Sequence, residues 1–210
     1  MTDDELPPSD LDIDENIPPF VLGICLLYGI VLAFGLFWCW IGDYGPQPSL
    51  SASETLVHAG IALALALAIV ALVGVVERAT SLFDGIIGVL EDRLGDLSGA
   101  GVIALSLFSS VAEEVLFRGA MQPAFSELFR SEITGWVTTS LVFGLLHTGP
   151  SRQFIPWTVF AVLSGFVLGY AYLRTGNLLI PIVTHFIINA LNMWRIVLRA
   201  RRRPDFSVHS

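Results

Sequence analysis

Lysine is absent from the 210 residues, charged residues of every kind make up only 14%, and there are just two cysteines. Each scarcity closes off a class of function. Without lysine, and with five of the arginines gathered near the C-terminal end (Arg195, Arg199, Arg201, Arg202 and Arg203), the chain has no basic surface of the kind that nucleic acid requires. Cys25 and Cys39 both fall in the first apolar run, and fourteen residues of helix would hold them about 21 Å apart, beyond disulfide reach. They read as small hydrophobes rather than as redox or metal ligands. The low charge, set against 54% hydrophobic residues and a mean hydropathy of +0.71, excludes a soluble domain and predicts an integral membrane protein. No basic segment precedes the first apolar run, so that run is expected to be a retained span rather than a cleaved signal peptide.

The net charge of −8 is concentrated at the start of the chain, in Asp3, Asp4, Glu5, Asp10, Asp12, Asp14 and Glu15. Together with Pro7, Pro8, Pro18 and Pro19, these acids predict a disordered, solvated tail over residues 1–19. Apolar runs long enough to cross the bilayer follow at roughly 20–41, 56–76, 100–125, 133–148, 154–174 and 178–198. The fold class is therefore all-α, a polytopic transmembrane bundle of about six spans with both termini on one side. Arginine sets the orientation: the C-terminal cluster marks its side as cytoplasmic, and six spans place Arg78, Arg93 and Arg152 there too, leaving Arg130 and Arg174 outside. Between the second and third spans, Phe83, Ile86, Ile87, Leu90, Leu94 and Leu97 recur at helical spacing, with acids at other positions. This amphipathic helix either lies along the membrane or packs on the cytoplasmic edge of the bundle. The layout is thus an acidic tail (1–19), two spans and a connecting helix (20–98), a core (99–198) and a basic tail (199–210).

Glu113 and Glu114 lie side by side inside the apolar stretch Leu105 to Gly119, and charge at that depth is a functional signal by default. Arg118 follows Glu114 by four residues, the favourable order for a helical ion pair. Glu113, rotated about 100° around the helix, lacks that partner and is free to meet another helix as a general base. Two further pairs repeat the i, i+4 spacing that places both side chains on one helix face: Phe143 with His147, and His185 with Asn189. Phe143 could wall a site and exclude water. An imidazole and a carboxamide on one face serve equally as interhelical hydrogen-bond donors or as donors to a developing oxyanion. Glu113, His147 and His185 also form a two-histidine, one-carboxylate set of the kind that holds catalytic zinc. The sequence leaves open whether a metal is bound or whether Glu113 and His147 activate water unaided.

The three runs, Glu113-Glu114-x-x-x-Arg118, Phe143-x-x-x-His147 and His185-x-x-x-Asn189, occur in this order on successive apolar segments. In this they resemble the CAAX prenyl protease and bacteriocin-processing (CPBP) family, also described as type II CAAX endopeptidases or ABI-family intramembrane proteases. The resemblance covers roughly residues 100–195, with Phe117-Arg118-Gly119 and Gly165-x-x-x-Gly169-Tyr170 adding to it. It implies an all-helical intramembrane endopeptidase whose site opens towards the cytosol. Glu113 and His147 would activate water, His185 and Asn189 would stabilise the oxyanion, and Glu114 and Arg118 would support the doublet. The implied partners are membrane lipid and a peptide or a prenylated, hydrophobic protein substrate. In some members the same set is described as a metal site, so zinc stays open. Two other function classes also fit buried Glu and His residues: a non-catalytic scaffold or bacteriocin self-immunity protein, and a proton-coupled transporter. The absence of an internal repeat or of paired broken helices weighs against the transporter.

Overall fold

The computed structural model of the protein describes residues 19–44 and 51–203, so most of the acidic tail and the residues after Arg203 lie outside the described residues. Among the described residues the regular structure is helical throughout. In chain order it comprises α1 (Pro19–Ile41), α2 (Ala52–Ala79), α3 (Asp84–Leu94), α4 (Gly99–Glu114), a π-helical turn (Val115–Met121), α5 (Gln122–Leu128), α6 (Glu132–Leu145), α7 (Ile155–Thr175) and α8 (Leu179–Ala200). Serines begin three of these helices. Ser51 and Glu54 form a reciprocal capping box on α2, while the Ser98 and Ser131 hydroxyls accept the N–H groups of Gly101 and Thr134. Each cap satisfies an amide that the helix itself cannot.

Five helices are long and apolar enough to cross a membrane: 21–41, 52–79, 99–128, 152–175 and 179–200. In α1 and α2 most large side chains point outward, Leu26, Ile30, Leu56 and Leu72 among them, as lipid-facing helices do. The third crossing is the most buried, and it runs unbroken through α4, the π-helical turn and α5. The apolar run expected over 133–148 forms α6, whose 14 residues reach about 21 Å. That is shorter than the roughly 30 Å of hydrocarbon, so α6 is a partial crossing.

α6 and α7 lie antiparallel and very close. A Cβ on Gly144 would fall 2.0 Å from Val162 Cγ2 and 2.7 Å from its Cα, and one on Gly165 would fall 3.0 Å from the Ser140 carbonyl oxygen. Glycine is required at such an approach. Because residue 144 faces residue 162, the start of α7 continues about six residues, or about 9 Å, past the end of α6.

The start of α1, the start of α4 and the end of α8 share one face, where Val21, Leu97, Val102 and Val197 form a cluster. Arg201 donates to the Leu97 carbonyl there (2.8 Å), and Arg203 pairs with Glu91 (2.8 Å) and Asp92 (2.9 Å). Arg78, Arg93 and Arg152 lie on this face, Arg130 and Arg174 on the other, matching the parity that the arginines predict. Of its two expected placements, the amphipathic helix takes the one against the bundle: α3 buries Ile86, Ile87 and Leu94 and packs on α8.

Candidate active site

The α4 helix carries small residues, Ser106, Ser109, Ser110 and Ala112, on its buried positions, which lets neighbouring helices close around it. Glu113 and Glu114 are its last two residues, and the helix widens immediately afterwards into the π-helical turn. Such turns recur at functional sites because they redirect side chains without breaking the helix. Nothing in the residue spacing announces it.

Arg118, fully buried, lies at the centre of the supporting network. Its Nη1 donates to Glu114 Oε1 (3.0 Å), its Nη2 donates to the Gly165 carbonyl (3.1 Å), and its guanidinium lies 4.6 Å from the centre of the Phe143 ring. The same Glu114 oxygen accepts from His185 Nδ1 at 2.7 Å. Glu114 thus does more than the sequence implied, because it ties the arginine to a histidine 71 residues away. On the other side, His147 Nδ1 donates to the Phe143 carbonyl at 2.7 Å, and Thr158 of α7 donates to the His147 carbonyl at 3.2 Å. A carbonyl only accepts, so Nδ1 of His147 carries the proton and a neutral ring presents a lone pair at Nε2. Glu114 likewise holds a proton on His185 Nδ1, which leaves Nε2 a lone pair in the neutral ring and a second donor in the protonated one.

Both Nε2 atoms face one oxygen. Glu113 Oε2 is 3.8 Å from His147 Nε2 and 3.9 Å from His185 Nε2, and has no hydrogen-bond partner among the described side chains. The spans alone put the two histidines at different depths; the structure does not. α6 stops short of the membrane face, so His147 in the turn after it lies deep, and the long third crossing carries Glu113 to the level of His185. Asn189, one turn past His185, donates from Nδ2 to Ser109 Oγ at 3.2 Å. Phe143 packs edge-on against Phe117 (5.0 Å) and lies 4.7 Å from the His147 ring.

Glu113, Phe143, His147, His185 and Asn189 line one cavity of about 450 Å³, which extends to Leu90 and Arg93 of α3. Most of the cavity wall is aliphatic or aromatic, with Arg93 and Asn192 as polar lining residues besides those around Glu113. Tyr28 of α1, which sequence reasoning missed, also lines the cavity and interacts with Glu113. It sits among apolar residues of the first span with no motif to mark it.

The donor kinds suit zinc, since two imidazole lone pairs and a carboxylate are available. Their spacing does not. Ligands of a tetrahedral ion at 2.0–2.1 Å stand roughly 3.3–3.4 Å from one another, closer than the distances here. Accordingly, no group of three or more His, Cys, Asp or Glu residues among the described residues is placed to hold a metal ion.

Residues 97–191, from just before α4 to the middle of α8, match the family model described as Type II CAAX prenyl endopeptidase Rce1-like. This segment belongs to that family. The Rce1-like segment contains Glu113, Glu114, Arg118, Phe143, His147, His185 and Asn189, whereas Tyr28 and α3 come from outside it. A protein of Bacillus subtilis (strain 168), named Uncharacterized protein YpbD, is 36% identical over 110 residues, which is 51% of this chain and 52% of its own length. The chain therefore spans about half the length of that relative. No solved structure matches the chain.

Proposed function

We propose that the protein is an intramembrane endopeptidase that hydrolyses a peptide bond of a hydrophobic or prenylated chain, with water activated by Glu113 and His147. The observation that carries this reading is the buried, unpartnered Glu113 Oε2, faced at 3.8 and 3.9 Å by two histidine nitrogens. These gaps are too long for direct hydrogen bonds and suit a bridging water. The water donates to Glu113 Oε2 and to His147 Nε2, which leaves its oxygen lone pair for the substrate carbonyl. As the C–O bond forms, Glu113 takes the proton. The oxyanion is met by the second Asn189 Nδ2 hydrogen and by His185 Nε2 in its imidazolium form, for which Glu114 is the counter-charge. Glu113 then returns the proton to the leaving nitrogen, and the C–N bond breaks. No step passes through a metal. The apolar cavity wall accepts the substrate's hydrophobic side chains. Its reach to α3, on the arginine-rich face, supports an entrance from the cytosolic side.

The test is cleavage of a prenylated C-terminal peptide by the purified full chain. Glu113→Gln retains the shape of the side chain and removes its basicity, so it should stay folded and lose turnover. Wild-type cleavage by that variant would reject hydrolysis by Glu113 and favour a binding or scaffolding role.

A further inference from the structure

The arginine-rich face carries a second recess, separate from the cavity above. It is an opening of about 260 Å³ where the end of α2 meets the end of α8, lined by Glu77, Arg78, Arg195, Leu198, Arg199 and Arg202. Four guanidinium groups thus surround one carboxylate. Glu77 is taken up by Arg195 and, at 3.9 Å, by Arg199. Arg78 and Arg202 have no carboxylate partner among the described residues, unlike Arg203, which pairs with Glu91 and Asp92. Both are exposed. Among the described residues the recess therefore holds a net positive charge that no carboxylate neutralises.

Its position says what would neutralise it. Next to these arginines on the same two helices are exposed apolar side chains: Leu72 and Val75 on α2, Trp194 and Leu198 on α8. Arginine above a lipid-facing apolar strip, at the end of a spanning helix, lies at headgroup depth. A guanidinium matches two phosphate oxygens with parallel N–H groups, and several together suit a phosphodiester. We propose that this recess binds the phosphodiester headgroup of an anionic phospholipid of the adjoining leaflet. Arg78, Arg199 and Arg202 contact the phosphate, Arg195 is held in the framework by Glu77, and the acyl chains lie along Leu72, Val75 and Leu198. A lipid in this position bridges α2 and α8, which also meet through the Thr184 hydroxyl and the Ala62 carbonyl (3.2 Å).

The experiment uses the full chain in detergent micelles, titrated separately with phosphatidylglycerol, phosphatidylcholine and inorganic phosphate, with bound lipid counted by native mass spectrometry. Phosphatidylglycerol should bind in preference to phosphatidylcholine. The double variant Arg78→Gln, Arg202→Gln should weaken phosphatidylglycerol roughly 30-fold, from two surface arginine contacts. Arg174→Gln, on the opposite face, should leave that affinity unchanged. Neither substituted guanidinium has a carboxylate partner among the described residues, so circular dichroism should show the double variant as helical as the parent. Equal binding of the two lipids, or undiminished phosphatidylglycerol binding by the double variant, would overturn the proposal. Inorganic phosphate binding as tightly as phosphatidylglycerol would also overturn it, because the site would then be one for a free anion.

Discussion

Alanine at position 114 would remove the carboxylate that holds both Arg118 and His185, and the cost can be worked from their burial. Arg118 and Glu114 are each 0% exposed and 3.0 Å apart. Breaking a buried pair by deleting one partner costs about 3–5 kcal/mol, because the surviving charge stays desolvated. Arg118 would keep the Gly165 carbonyl and the Phe143 ring, which favours the lower end of that range. Against a total stability of about 5–15 kcal/mol this is a large fraction. For a chain of this size it corresponds to a Tm lower by roughly 6–20 °C. Cys25 and Cys39 are partly buried in α1, so a thiol-reactive fluorophore added during a thermal ramp in detergent reports unfolding without new labels. Glu113→Gln is the internal comparison. The buried Glu114–Arg118 pair stays intact there, so Tm should move by less than about 2 °C, while turnover falls by about 10²–10⁴ with the general base. A Glu114→Ala protein with wild-type Tm and no activity would refute the argument and mean that the two acids exchange roles.

Three other outcomes follow from the geometry. Tyr28→Phe removes a hydroxyl that interacts with Glu113, and kcat should drop roughly tenfold, about the worth of one hydrogen bond, with Tm unchanged; an unaltered kcat would make Tyr28 a wall residue only. Gly144→Ala places a methyl 2.7 Å from the Val162 Cα, so α6 must shift from α7 and stability should fall by about 1–3 kcal/mol, read as a lower Tm. The Glu113, His147 and His185 spacing is wider than a tetrahedral ion allows, so peptide cleavage should survive a tight zinc chelator; loss of cleavage that added zinc restores would show that the three side chains close around an ion.

The all-helical bundle was legible from composition and apolar run length, because a membrane leaves a chain few alternatives to helices. The order of Glu113, Glu114 and Arg118 likewise told which acid would be paired, since i, i+4 geometry within one helix is local. What could not be read was set by contacts between helices. The hydrogen bond from His185 to Glu114 joins residues 71 apart, and no spacing rule reaches that far. The apparent conflict in depth between His147 and His185 came from treating 133–148 as a full crossing. Gly144 and Gly165 draw α6 onto α7 and fix where its end falls, a packing result rather than a hydropathy one. Tyr28 was invisible for the opposite reason: a phenol in an apolar span carries no pattern until a neighbouring helix presents a carboxylate to it.

The shortfall of α6 also bears on the lipid around the protein. Leu141, Leu145 and Leu146 are exposed on its outer side, and the chain then turns into Thr148, Gly149, Pro150 and Ser151 about 9 Å short of the level at which the neighbouring α7 begins. Lipid beside α6 meets a hydrophobic surface too short for it, and the bilayer there must thin or admit headgroups and water. The protein therefore carries a fixed dent in its own solvent, on the flank where the turn bearing His147 lies, and thicker, sterol-like membranes would resist that dent most strongly.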